Sequence, residues 1–255
     1  AGCSYTYQNM LFFKEDFWQI LSNNRVMVIF DEMQCSSRIK ELVREGIYTP
    51  PGLKDTAHFP TNGGGNNWGS PAIHPDSRIM VAYTSKAAGW MRLVPREECG
   101  PGGSQQAGTP YCAKTGYVMS SFGVPCTEPP WGTLDAIDLE AGKVLWSVPI
   151  GTTRDLAPFP FWWIKGLPGF AAPMMTDSGL VFSGIANEHA LRAFDLKSGE
   201  ELWKGRIPTA ANALPMTYQT SSTGRQYVVV AAGGHWSGGS PAGDYVVAFS
   251  LPDSE

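Results

Sequence analysis

Three short stretches of this 255-residue chain carry side chains suited to holding a ligand. In AGGHWSGG, His235 follows an apolar run and two glycines. An imidazole there can donate, accept or carry charge, and flanking glycines let a ligand approach the backbone closely. A turn histidine facing solvent is the plainer alternative. In IANEHALRAFD, Glu188 offers a carboxylate, with an exposed loop acid as the alternative. His189 beside it can reach the same cavity. In GGGNNWGSP, Asn67 can donate to a carbonyl oxygen, and the indole of Trp68 can stack on a flat ring or line a pocket. A Gly-rich loop over a core tryptophan would read the same way. No GK[ST] follows, so these glycines make a weak phosphate cradle. Trp162 and Trp163 in FPFWWIKG offer faces for a sugar, although loop packing is the commoner use of such residues. His58 and His74 match nothing diagnostic.

The totals exclude several classes of partner. A net charge of −4 leaves nothing to neutralise a phosphate backbone, so a nucleic-acid partner is not expected. The five cysteines (Cys3, Cys35, Cys99, Cys112, Cys126) contain no CxxC, which argues against a zinc ribbon or a thioredoxin-like centre. A Cys99–Cys112 or a Cys112–Cys126 bridge is conceivable in an exported protein. The apolar window NMLFFKEDFWQILSNNRVMVIF is broken by Lys14, Glu15, Asp16 and Arg25, so it is not read as a membrane span. It also lacks the pattern of a signal peptide. Any targeting or membrane segment is therefore expected outside this chain.

The elements that must position these residues are short strands. Gly (29), Pro (20) and Trp (9) are plentiful while charged residues make up only 16%, a balance that favours strands joined by tight turns over a helical bundle. AIDLEAGKVLW and AFDLKSGEELW share the frame A-x-D-L-x-x-G-x-x-L-W at a spacing of 57 residues, from Asp138 to Asp195, Gly142 to Gly199 and Trp146 to Trp203. Each copy reads as a strand with period-2 alternation, a glycine turn capped by the aspartate, and a returning strand. The tryptophans are assigned to packing between neighbouring units. Strand pairs around Ser178-Gly179 and Thr223-Gly224 complete a recurring unit of four antiparallel strands, and GDYVVAFSL repeats the first strand once more. The expected fold is an all-β propeller, part of a larger ring, with about four blades in residues 31–255. GSPAIHPDSRIMVAYTS reads as a degraded strand pair from another blade. Residues near 88–130, rich in Gly, Pro and Cys, read as a long excursion loop. Residues 33–46 carry a helical pattern with Ile39, Leu42 and Val43 on one side, and residues 1–30 fit no blade.

The repeated frame resembles the tryptophan-docking motif of the eight-bladed quinoprotein dehydrogenases, which use pyrroloquinoline quinone (PQQ). Other stretches look like the membrane-bound glucose, polyol and quinate branch of that family: EGIYTPPG (45–52), FGVPCTEPPWGTLDAIDL (122–139), PMTYQ (215–219), GRQYVVVAAGGH (224–235) and GDYVVAFSLPD (243–253). Their order and spacing are those of the family's C-terminal half. The resemblance implies oxidation of a sugar or polyol hydroxyl, hydride passing to PQQ, electrons passing to ubiquinone, and a periplasmic site at the inner membrane. It places His235 beside the PQQ, with Trp236 next to it. It sets Glu188 where the glucose branch usually has an Asp, and matches Asn67 and Trp68 to an Asn-Trp element near the quinone. It also implies a Ca²⁺ or Mg²⁺ ion, with the catalytic base and most metal ligands in N-terminal blades, so this chain is assigned no base and no metal ligand. A non-catalytic scaffold propeller also resembles the docking repeat, and a lectin-like propeller has only the aromatic loops to recommend it.

Overall fold

The alternation read from the repeats folds as antiparallel sheets in a computed structural model. The structure describes residues 25–46, 48–158, 161–185, 187–235 and 239–252, with the backbone alone for 25–32 and Phe161. The chain divides into two units. One comprises residues 65–85 and 132–255. It begins with a sheet ordered β2-β3-β7-β8, in which β2 is Ala72–Ile73, β3 Ile79–Ser85, β7 Gly132–Asp138 and β8 Lys143–Pro149. The second sheet runs β9 (Met174–Met175), β10 (Leu180–Ile185), β11 (Glu188–Asp195) and β12 (Glu201–Arg206), each strand beside the next. The third is β13 (Met216–Gln219), β14 (Gln226–Ala232) and β15 (Tyr245–Ser250), with β14 central.

Strand periodicity explains how these sheets stack. On β10, Val181 and Ile185 pack with Val81, Leu134 and Ala136 of the first sheet, while Phe182 packs with Val230 and Ala232 of the third. Successive side chains point to opposite faces, so a strand apolar at both parities must be covered twice. Outer strands β8 and β12 are largely exposed. The repeated frame lies at these seams. The Trp146 indole N–H donates to the carbonyl of Leu196 at 2.8 Å, joining the first sheet to the turn of the second. Gly199 in that turn has φ +74°, and a Cβ on it would lie 2.7 Å from the Trp146 ring, so both conformation and space require glycine. Trp203 meets Phe249 of the third sheet edge-on at 4.9 Å. Asp138 Oδ1 accepts the N–H groups of Glu140 and Ala141, and Asp195 Oδ1 those of Lys197 and Ser198, as turn caps.

Two readings of the sequence change. The strands of GSPAIHPDSRIMVAYTS are not from another blade: Ile79 pairs with Asp138 and Ser85 with Gly132, so β2 and β3 complete the sheet of the first docking copy. Residues 86–131 leave and return at that last paired position, and the intervening length hides the pairing from sequence. Those residues are also not one long loop. With residues up to 64 they form the second unit, a sheet ordered β1-β4-β6-β5 from β1 (Thr56–His58), β4 (Gly89–Pro95), β5 (Ser104–Gln105) and β6 (Tyr111–Tyr117). A Cys99–Cys112 disulfide closes the β4–β6 connection, and a second, Cys35–Cys126, ties in the helix α1 (Arg25–Glu41). Helix residues Cys35 and Ile39, with Leu42 just beyond the helix end, pack with Ala88 and Val118. Val43 leaves the helical pattern to pair with Thr56. Composition alone marks such a segment as loop because cross-links and partner strands, not local propensity, order it.

Candidate functional site

Two glycines assemble the site. A Cβ on Gly69 would fall 2.0 Å from the carbonyl oxygen of Ala171, so only glycine lets the 65–70 loop lie against that main chain. The contact carries Trp68 onto Phe170, stacked with ring centroids 4.4 Å apart and planes 27° from parallel. The loop is tightened by Asn67 Oδ1 accepting the Trp68 N–H at 2.7 Å and by Ser70 Oγ donating to the Trp68 carbonyl at 3.2 Å. Gly234, with φ +68°, turns the chain out of β14, and a Cβ there would lie 1.9 Å from the Pro241 carbonyl oxygen. Its N–H donates to Ala210 at 3.0 Å, and the N–H of His235 donates to Ser240 Oγ at 2.8 Å. The imidazole then lies 5.4 Å from the Trp68 ring and 5.7 Å from that of Phe170. Three rings from the ends of three sheets thus meet at contact distance. Trp68 keeps 54% of its surface exposed.

Glu188 takes a different place. It is wholly buried, and Arg192 meets both its oxygens, Nη2 to Oε1 at 2.6 Å and Nε to Oε2 at 2.9 Å. Thr152 Oγ1 adds a third bond at 2.6 Å, and the remaining Arg192 nitrogen binds Glu201. His189 donates its backbone N–H to Asp155 at 2.8 Å, and Asp155 is also held at two points by Arg206. Burial pushes the Asp155 carboxyl up, but the Arg206 and His189 hydrogen bonds outweigh it and hold it below the usual carboxylate range. Trp162 donates its indole N–H to Ala157 at 2.8 Å and has the Arg154 guanidinium over its ring. His74 spans the first two sheets, with Nε2 3.3 Å from the Asp177 carbonyl. Trp236 lies outside the described residues. Among the described residues no group of three or more His, Cys, Asp or Glu is placed to hold a metal ion.

Two of the three clustered rings, Trp68 and His235, belong to motifs that stand out in the sequence, and Phe170 does not. A signal for it was present. Trp68-Gly69-Ser70-Pro71, Phe170-Ala171-Ala172-Pro173 and Asn212-Ala213-Leu214-Pro215 each end in a proline immediately before the first strand of a sheet. Trp68, Phe170 and Asn212 are equivalent residues of three successive sheets.

Comparison with known proteins agrees with this architecture. Residues 11–228 match the family described as PQQ glucose/ethanol/alcohol dehydrogenase, β-propeller domain. The chain is 38% identical over 245 residues to a probable quinate dehydrogenase (quinone) of Xanthomonas campestris pv. juglandis, covering 88% of this chain and 30% of that protein. It is 35% identical over 243 residues to a quinoprotein glucose dehydrogenase of Escherichia coli K12, covering 88% of this chain and 30% of that protein. It is 33% identical over 254 residues to a glycerol dehydrogenase large subunit of Gluconobacter thailandicus, covering 88% and 34%. The chain thus spans about a third of the length of these relatives. Among solved structures, a europium-containing methanol dehydrogenase superposes with a TM-score of 0.52 at 21% identity, covering 71% of this chain and 27% of that one, a likeness of fold.

Proposed function

The chain belongs to the PQQ-dependent glucose/ethanol/alcohol dehydrogenase propeller family, and on that premise we propose that it forms the C-terminal part of a quinone-linked dehydrogenase oxidising a hydroxyl of a sugar or polyol. The relatives are named for dehydrogenation of quinate, glucose and glycerol, which supports that substrate class. When bound, PQQ supplies an ortho-quinone that accepts hydride from the substrate carbon, with a divalent cation such as Ca²⁺ or Mg²⁺ as Lewis acid. We further assign ubiquinone as electron acceptor and the periplasmic face of the inner membrane as location, both by analogy with the resembling branch. No described helix is long and apolar enough to cross a membrane.

The observation that carries this reading is the cluster of Trp68, Phe170 and His235 held by two glycines. Its donor set fits a flat aromatic acid. The exposed Trp68 indole offers a stacking face, and His235 offers a nitrogen that can bind a carboxylate or a quinone oxygen. Asn67 fixes the loop that carries Trp68. Glu188 we read as a positioning residue, because its carboxylate is bonded to Arg192, on the strand that leads into the second docking turn, and to Thr152, beyond the end of β8. A scaffold propeller would have no need of a glycine-held aromatic cluster with a partly exposed face.

Titrating the purified chain with PQQ in the presence of Ca²⁺, while following tryptophan fluorescence, tests the reading. Saturable quenching is expected, with Trp68→Ala and His235→Ala each weakening affinity by about tenfold, near the loss of one well-made contact. Unchanged affinity in both variants, or no quenching by the wild-type chain, would overturn it.

A further inference from the structure

Asn212 is the third equivalent of Trp68 and Phe170, yet it carries an amide where they carry rings. It is 8% exposed, and neither its Nδ2 nor its Oδ1 has a hydrogen-bond partner. Asn187, equally buried, spends its Nδ2 on the Pro168 carbonyl at 2.8 Å and leaves Oδ1 without a partner. Backbone contacts set both residues near the ring cluster. Pro168 is two residues before Phe170. Ala210, two residues before Asn212, accepts the N–H of Gly234, which precedes His235. Gly184 packs against Ala211, where a Cβ would meet the Ala211 carbonyl oxygen at 2.6 Å.

Buried amides without partners are costly, and proteins rarely leave such atoms without a use. Asn212 needs a donor for Oδ1 and an acceptor for its NH₂ group, and Asn187 needs a further donor for Oδ1. An ionised polycarboxylate quinone is rich in acceptors and has a single ring N–H, so it would leave an oxygen unmet. A molecule with adjacent hydroxyls satisfies all three, since each hydroxyl both donates and accepts. We propose that Asn212, assisted by Asn187, binds the hydroxyl groups of a polyhydroxylated substrate and so contributes to its selection. This assignment rests on the functional reading given above and names the residues that recognise its substrate class.

Saturation-transfer NMR of the full 255-residue chain with glycerol, glucose and quinate, with and without PQQ, provides the test. Asn212→Leu, close in volume and free of polar atoms, should reduce polyol signals at least fivefold and leave PQQ quenching within twofold of wild type. Removing the unpartnered amide should also raise the melting temperature, by roughly 2–4 °C, a gain that a structural asparagine would not give. Asn212→Asp keeps acceptors for hydroxyls and should retain polyol signals. Unchanged polyol signals in the leucine variant, or no polyol signal with the wild-type chain, would overturn the assignment. So would a loss of PQQ affinity with polyol binding intact, since the amide would then face the cofactor. A chain that takes up polyols at Asn212 but does not bind PQQ would defeat the cofactor reading and leave this assignment standing.

Discussion

Glu188 and Arg192 are the residues whose burial leaves least room for change. Their side chains are 1% and 6% exposed, and the guanidinium grips the carboxylate in two places. Removing one charge strands the other, a change that costs about 3–5 kcal/mol in buried pairs. Glu188→Ala is therefore expected to destabilise the chain by about 3 kcal/mol in urea unfolding, with Glu201 retaining part of the Arg192 interaction. Asp155 gives a pH signature. Its native pKa lies below that of the unfolded chain, so its contribution is complete above the ordinary carboxylate value near 4 and fades as pH falls through the native value. Asp155→Asn should flatten the acid side of a plot of stability against pH, from about pH 4 downward. A slope equal to that of wild type would show that another carboxyl governs it.

Among the elements, the docking turns decide how one sheet meets the next. Gly199→Ala would place a methyl against the Trp146 ring at a φ that alanine adopts only under strain. A loss of about 1–3 kcal/mol is expected. Trp146→Phe removes the bond to Leu196 and should cost about 1–2 kcal/mol. The double variant should lose less than the sum, because both changes act on one contact. Additive losses would mean that the turn and the indole act independently.

At the scale of the whole chain, the two units are stabilised by different means. The unit of residues 65–85 and 132–255 relies on stacked sheets with apolar residues at both strand parities. The other is cross-linked twice, at Cys35–Cys126 and Cys99–Cys112. Disulfides act largely by restricting the unfolded chain, so reduction should bear on one unit alone. Hydrogen exchange after treatment with dithiothreitol is expected to show lost protection in β4 and β6 and unchanged protection in β10 and β11. Equal loss in both would mean that they unfold as one body.

How much of this was legible follows from what each residue depends on. The A-x-D-L-x-x-G-x-x-L-W frame specifies strand, capped turn and returning strand through contacts a few residues apart, so alternation, the Asp caps and the need for Gly199 could be read directly. His235 could be singled out because the glycines before it mark close backbone approach, and Asn67 and Trp68 because they match the Asn-Trp element of the resembling family. Residues 88–130 could not be read, since β4 and β6 find their partners through pairing and a disulfide. Nor could Ile79 be matched with Asp138 across the intervening segment. Phe170 and Asn212 share with Trp68 only a proline three residues on, and packing alone shows one stacked on Trp68 and the other buried without a partner. Sequence by itself determined the repeating strands and the chemical character of the candidate residues, because both are local. Which of those residues meet, and that Glu188 is paired with Arg192 in the interior, only the tertiary structure decided, because proximity across sheets depends on how whole strands pack.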